Sequence, residues 1–137
     1  MRNSPLKYAA KFYFKHWVIG YCQGSIREIL QSKSFPREIN WLKINSMDHT
    51  NADPFPVRSG DGEVSILFED FALNDFYGKI HVLTLDKSLK KVTQKLLLDT
   101  KSHISYPFTF NENGKLLVFP ESSYEGRLSC YEYDTAN

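Results

Sequence analysis

Residues 53–86, DPFPVRSGDGEVSILFEDFALNDFYGKIHVLTLD, and residues 106–134, YPFTFNENGKLLVFPESSYEGRLSCYEYD, follow one plan, and that plan decides the fold. Asp53-Pro54-Phe55 lines up with Tyr106-Pro107-Phe108, the Gly62 turn with the Gly114 turn, and Phe68-Glu69 with Pro120-Glu121. Gly78-Lys79 then matches Gly126-Arg127, and both copies finish on an aspartate, Asp86 and Asp134. One unit reads as an X-Pro-Phe strand, a glycine turn, a long strand, a glycine-basic turn and a third strand. Val92–Asp99 adds a fourth strand to the first copy. Four strands in about 50 residues is the period of a propeller blade.

The second copy reaches Asn137 without a fourth strand. The aromatic, β-branched run Phe12–Tyr21 (FYFKHWVIGY) is a spare strand able to complete it. That pairing would place Cys22 near Cys130, where a disulfide is geometrically conceivable. Between the spare strand and the first copy, Ser25 stands three residues before Glu28. This capping-box spacing predicts a short helix near residues 25–32 with Ile26, Ile29 and Leu30 on one face. Ile39–Ile44 reads as a short strand and Ser46–Ala52 as a polar loop. In Gly78–Asp86, Ile80, Val82 and Thr84 face one way and Lys79, His81, Leu83 and Leu85 the other. Both faces carry apolar residues, as in a sheet covered on each side.

The expected fold is therefore all-β: two four-stranded antiparallel blade-like sheets of a partial five-bladed propeller, with one short helix. The 137 residues form a single domain, with 1–52 a lead-in, 53–99 the first blade and 104–137 the second, completed by 12–21. A hydrophobic fraction of 42% against 24% charged places the chain among folded globular proteins. A net charge of +1 with no basic stripe argues against nucleic acid as partner. No apolar run is long enough to span a membrane. Met1–Pro5 has no apolar signal core, so nothing in these residues directs export, and the location is read as cytoplasmic or left open. His16, His49, His81 and His103 lack metal-ligand spacing, and no metal or cofactor is expected.

The blocks Ala52-Asp53-Pro54-Phe55, Leu67-Phe68-Glu69, Gly78-Lys79-Ile80, His103–Phe108 and Phe119-Pro120-Glu121-Ser122 follow one recurring pattern. The pattern resembles the propeller domain of plant glucosamine inositolphosphorylceramide transferases and their bacterial relatives, over roughly residues 13 to 134. Trp17–Gly20 and Ile39–Leu42 resemble that domain's opening. The domain is in turn similar to the five-bladed propellers of family 43-type glycoside hydrolases. Five blades need about 250 residues, so the resemblance covers two of them.

Glycoside hydrolysis requires two carboxyl groups flanking the bond. The resemblance implies a base at Asp53, but Tyr106 stands where a second aspartate is expected, and the blade that supplies the acid is absent. Glu69 and Glu121 are weaker candidates for a catalytic carboxylate. The expected function is thus a non-catalytic carbohydrate-associated module, a glycan binder or a scaffold for a glycan-modifying transferase, with Asp53, Tyr106, His103 and Glu121 touching a carbohydrate or a glycolipid headgroup. The alternatives are a glycosidase-like enzyme assembled with neighbouring chains and a protein–protein interaction module. Uncovered blade faces predict a homo-oligomer or a partner chain, since large apolar patches are unusual on soluble monomers.

Overall fold

The computed structural model describes residues 16–36, 38–42, 48–58 and 62–134. Over these the chain is mostly β, with antiparallel sheets of two, four and three strands and one α-helix. β1 (Gly20–Tyr21) pairs with β2 (Asn40–Trp41), and α1 (Ile26–Ser32) lies between them in sequence. β3 (His49–Arg58), β4 (Val64–Ala72), β5 (Tyr77–Leu85) and β6 (Lys91–Leu98) form the four-stranded sheet in that order. β7 (Ser105–Glu112), β8 (Lys115–Glu121) and β9 (Tyr131–Tyr133) form the three-stranded one.

The repeat is visible in the strand register. In the first copy Ala52 lies opposite Glu69, a bulge follows, and Phe55 lies opposite Leu67. In the second, Ser105 lies opposite Glu121, a bulge follows, and Phe108 lies opposite Phe119. Gly62 and Gly114, the tips of the two hairpins, share a φ of +80°, a region that glycine enters without steric cost. The third strands also correspond: Ile66 and Val64 face Leu83 and Leu85, and Val118 and Leu116 face Tyr131 and Tyr133. One residue further on, the Asp86 carboxylate accepts the backbone N–H groups of Ser88 and Lys90 and turns the chain into β6.

The core explains why β5 is apolar on both faces. Ile66, Phe68, Leu83 and Leu85 pack against Ile19 and Leu42 of the preceding segment. On the opposite face Val57, Leu67, Ile80 and Val82 pack against Ile104 and Val118 of the three-stranded sheet. Each such fully buried side chain contributes about 1.5–3 kcal/mol. The sheets stack front to back. Val118, Leu116 and Tyr133, the counterparts of Ile66, Val64 and Leu85, face the first sheet, whereas Ile66, Val64 and Leu85 face the 17–42 segment.

Several expectations are corrected. The second sheet has three strands among the described residues, and its third strand, expected to follow directly on Gly126-Arg127, is confined to Tyr131–Tyr133, after a 3-10 turn at Ser123–Glu125. Gly78 lies inside β5 rather than at a turn; the turn there is Leu73–Phe76, with Phe76 at φ +61°. Gly126, its sequence match, does end the 3-10 turn, at φ +62°. His49–Ala52 is strand, not loop, because its polar side chains find partners: His49 and Asn51 on Asp70, Thr50 on Trp17. The helix forms where expected, but Ser25 makes no side-chain cap hydrogen bond, and Ile26 and Leu30 face solvent.

Of the run Phe12–Tyr21, residues 12–15 lie outside the described residues. Trp17 accepts the Asn51 N–H at 2.9 Å and donates its own N–H to Thr50 Oγ1 at 2.6 Å, so this part runs beside β3. Only Gly20 and Tyr21 enter a ladder, and that ladder is with β2. Cys22 and Cys130 are free thiols. No helix among the described residues is long and apolar enough to cross a membrane.

Candidate functional site

Both bulges force the residue before proline into left-handed backbone: φ is +50° at Asp53 and +45° at Tyr106. A side chain in that region costs roughly 1–2 kcal/mol, and aspartate tolerates it better than tyrosine. Strain of this kind persists where surrounding structure over-determines it, and it concentrates at functional sites. Asp53 and Glu69 line an open cleft of about 630 Å³, with Trp17, Gly20 and Phe71 among its walls. Trp17 is 61% exposed, and its backbone is held by the Thr50 and Asn51 contacts described above.

Glu69 is only 9% exposed and makes no side-chain hydrogen bond among the described residues; the nearest basic atom is His103 Nε2, 3.9 Å from Oε1. His103 Nδ1 accepts the Gly78 N–H at 2.9 Å, so the ring proton sits on Nε2, facing the carboxyl. Gly78 is the floor under Glu69. A Cβ there would meet Glu69 Oε1 and come within 2.6 Å of the Ile104 carbonyl oxygen. Burial pushes the Glu69 carboxyl up to about 7, and the charges of Asp53, Asp70 and Glu121 push in the same direction.

The neighbouring Asp70 is a different case. It accepts hydrogen bonds from His49 Nδ1 at 3.0 Å and from Asn51 Nδ2 at 2.9 Å, and His81 Nε2 lies 3.5 Å away. Burial lowers the His81 pKa more than Asp70 raises it, and His49 and Lys79 add to the lowering. That ring also leaves a buried Nδ1 without a partner. Asp70 is therefore compensated by the strands on either side of it, β3 and β5.

The structure thus brings Asp53, Glu69 and His103 into one neighbourhood, with Glu121 near enough for its charge to act on Glu69. Tyr106 and Glu121 line a separate hollow of about 570 Å³ on the outer face of the three-stranded sheet, with Phe108, Phe110, Phe119 and Leu128. Tyr106 meets the edge of Phe55 at 4.8 Å between ring centroids, which ties it to the first sheet. Sequence reasoning missed Trp17 and Gly78. Trp17 sits in an aromatic run that reads as a plain strand, and the match of Gly78 to Gly126 disguises a close backbone approach as a turn. Among the described residues no group of three or more His, Cys, Asp or Glu side chains is placed to hold a metal ion.

With this geometry in hand, comparison with known proteins adds a partial likeness. Over 81 residues, 58% of this chain, the sequence is 35% identical to glucosamine inositolphosphorylceramide transferase 1 of Arabidopsis thaliana. No family model matches the chain, and no solved structure matches it. The aligned part is 10% of the plant protein, so the chain is similar to about a tenth of that transferase's length.

Proposed function

We propose that the chain is a non-catalytic carbohydrate-associated module of β-propeller type, in which the two large sheets are successive blades and the cleft at Asp53 binds a glycan. The observation that carries this reading is Asp53 itself: an acidic residue held in strained backbone, beside a buried carboxyl, in a cleft walled by an exposed indole. Carboxyl oxygens accept hydrogen bonds from sugar hydroxyls, and a tryptophan face packs against the apolar face of a sugar ring. The likeness to a transferase whose name includes glucosamine supports a glycan-related setting. Hydrolysis is not part of the reading, because Tyr106 occupies the second copy's equivalent of Asp53. Screening the chain against an array of immobilised glycans tests it. Binding to at least one glycan class is expected, with Trp17→Ala weakening it tenfold or more; no binding to any glycan overturns the proposal.

A partner surface belongs to the same reading. Phe108, Phe110 and Phe119 are the counterparts of Phe55, Val57 and Leu67, and Val57 and Leu67 are covered by the three-stranded sheet. Phe108 and Phe110 are 46% and 51% exposed instead. A further chain or second copy covering this face gives light-scattering masses above monomer at tens of micromolar protein. Phe108→Lys with Phe110→Lys is expected to return the monomer. A wild-type monomer at every concentration would count against association through this face.

A further inference from the structure

Two exposed apolar surfaces stand at opposite ends of the stacked sheets. One is the hollow of about 570 Å³ on the outer face of the three-stranded sheet, walled by Phe108, Phe110 and Leu128. The other belongs to the 17–42 segment. Its Ile19 and Leu42 face the first sheet, so strand alternation turns Gly20 and its partner Trp41 outward. The exposed Trp41 ring comes within 3.0 Å of the place a Gly20 Cβ would take. α1 projects from the same segment and buries none of its residues. Ile26 and Leu30, one turn apart on one side of it, and Phe35 just beyond are each at least 71% exposed. A helix of seven residues draws little stability from its own hydrogen bonds and depends on packing of its apolar side.

Charge distinguishes the two ends. Residues 1–43 hold eight lysine and arginine side chains against Glu28 and Glu38, a net +6. Residues 104–134 hold five acidic side chains against Lys115 and Arg127, a net −3. On α1, Arg27 and Lys33 stand three residues either side of Leu30 and so border the apolar side, whereas Glu28 stands two from Ile26 and two from Leu30 and points away. Glu121 lines the hollow.

We infer that the chain associates head to tail: the outward side of the 17–42 segment of one copy, α1 foremost, seats in the Phe108–Phe110 hollow of the next. The assignment rests on the partner surface described above and names its occupant. A projecting helix enters a concave apolar hollow with its apolar side inward, and its basic border meets the acidic rim at Glu121. Pairing of like with like is disfavoured, because two acidic hollows repel one another and so do two basic segments. Since the two surfaces differ, each copy has room for a neighbour at either end.

Sedimentation velocity of two full-chain variants and of their mixture tests the assignment. Ile26→Glu with Leu30→Glu removes the apolar side of α1, and Phe108→Lys with Phe110→Lys removes the hollow. Each variant alone is expected to stay a monomer at tens of micromolar protein. Their equimolar mixture is expected to form a complex of twice the 15.9 kDa chain mass, because each keeps the surface that the other has lost. Self-association of the helix variant alone would show hollow pairing with hollow and overturn the assignment, leaving the partner surface intact. Two monomeric variants that stay apart on mixing overturn it as well. Leu128→Glu, at an exposed wall of the same hollow, replaces the phenylalanine pair if circular dichroism shows that variant unfolded. A wild-type monomer at every concentration removes the partner surface and the assignment together.

Discussion

Gly78→Ala is expected to lower the unfolding free energy by about 3 kcal/mol, the upper part of the range for overpacking a filled site. The added methyl meets Glu69 Oε1 on one side and the Ile104 carbonyl oxygen at 2.6 Å on the other. The side-chain contact can be relieved by rotation, but the backbone contact cannot. Ile104 N–H donates to the Gly78 carbonyl at 3.2 Å, and Gly78 N–H donates to His103, so moving residues 103–104 breaks both bonds. Ile104 is itself buried between the sheets, and displacing it opens their shared core. Urea unfolding of wild type and variant measures the loss. Gly114→Ala is the comparison: nothing lies within 4 Å of its added methyl, and only the φ of +80° is penalised, at about 1 kcal/mol. A Gly78→Ala loss no larger than that of Gly114→Ala would show that the link at residues 103–104 yields freely.

Glu69→Gln is expected to stabilise the chain at pH 8 by on the order of 2 kcal/mol, allowing for partial solvent screening. A carboxyl that ordinarily titrates near 4.5 keeps its proton to about 7 in the folded chain. Between those values the unfolded chain has released this proton and the folded chain has not. The unfolded state therefore binds fewer protons, and stability falls as pH rises through the window. Above 7 the folded chain carries the buried anion and the penalty is complete. Glutamine keeps the shape and cannot ionise, so its advantage over wild type is absent at pH 4, grows from pH 5 to 7 and is constant by pH 8. His81, whose pKa burial lowers, contributes a trend of opposite sign in both proteins, and it cancels in the difference. A pH-independent difference between wild type and variant would show that Glu69 titrates as an ordinary glutamate.

Much of this was legible in the residues because the same physical demand recurs. Gly62 and Gly114 mark two turns with identical left-handed φ, and the two X-Pro-Phe blocks mark two identical bulges. The apolar residues on both faces of β5 announced a sheet covered twice, and the two clusters are where Leu83 with Leu85 and Ile80 with Val82 separate. What was not legible depends on partners distant in sequence. His49-Thr50-Asn51 reads as a polar loop until Asp70 and Trp17 satisfy it as a strand. Glu69 reads as an ordinary strand-end carboxylate until Gly78 and Ile104 enclose it. Ser25 carries the spacing of a cap, but the spacing alone did not bring its hydroxyl onto the helix. Of the residues named from sequence as sugar contacts, Asp53 lines one hollow and Tyr106 with Glu121 another, because the repeat that aligns Asp53 with Tyr106 also separates them by one sheet.

The stacking of the two sheets has a direction. Because the second sheet presents to the first the same side that the first presents to residues 17–42, the arrangement has translational rather than two-fold character, like successive steps of a stair. At one end Ile19, Tyr21 and Leu42 lie over Ile66, Phe68 and Leu83. A step added at the aromatic end in the same sense would arrive with the same side leading.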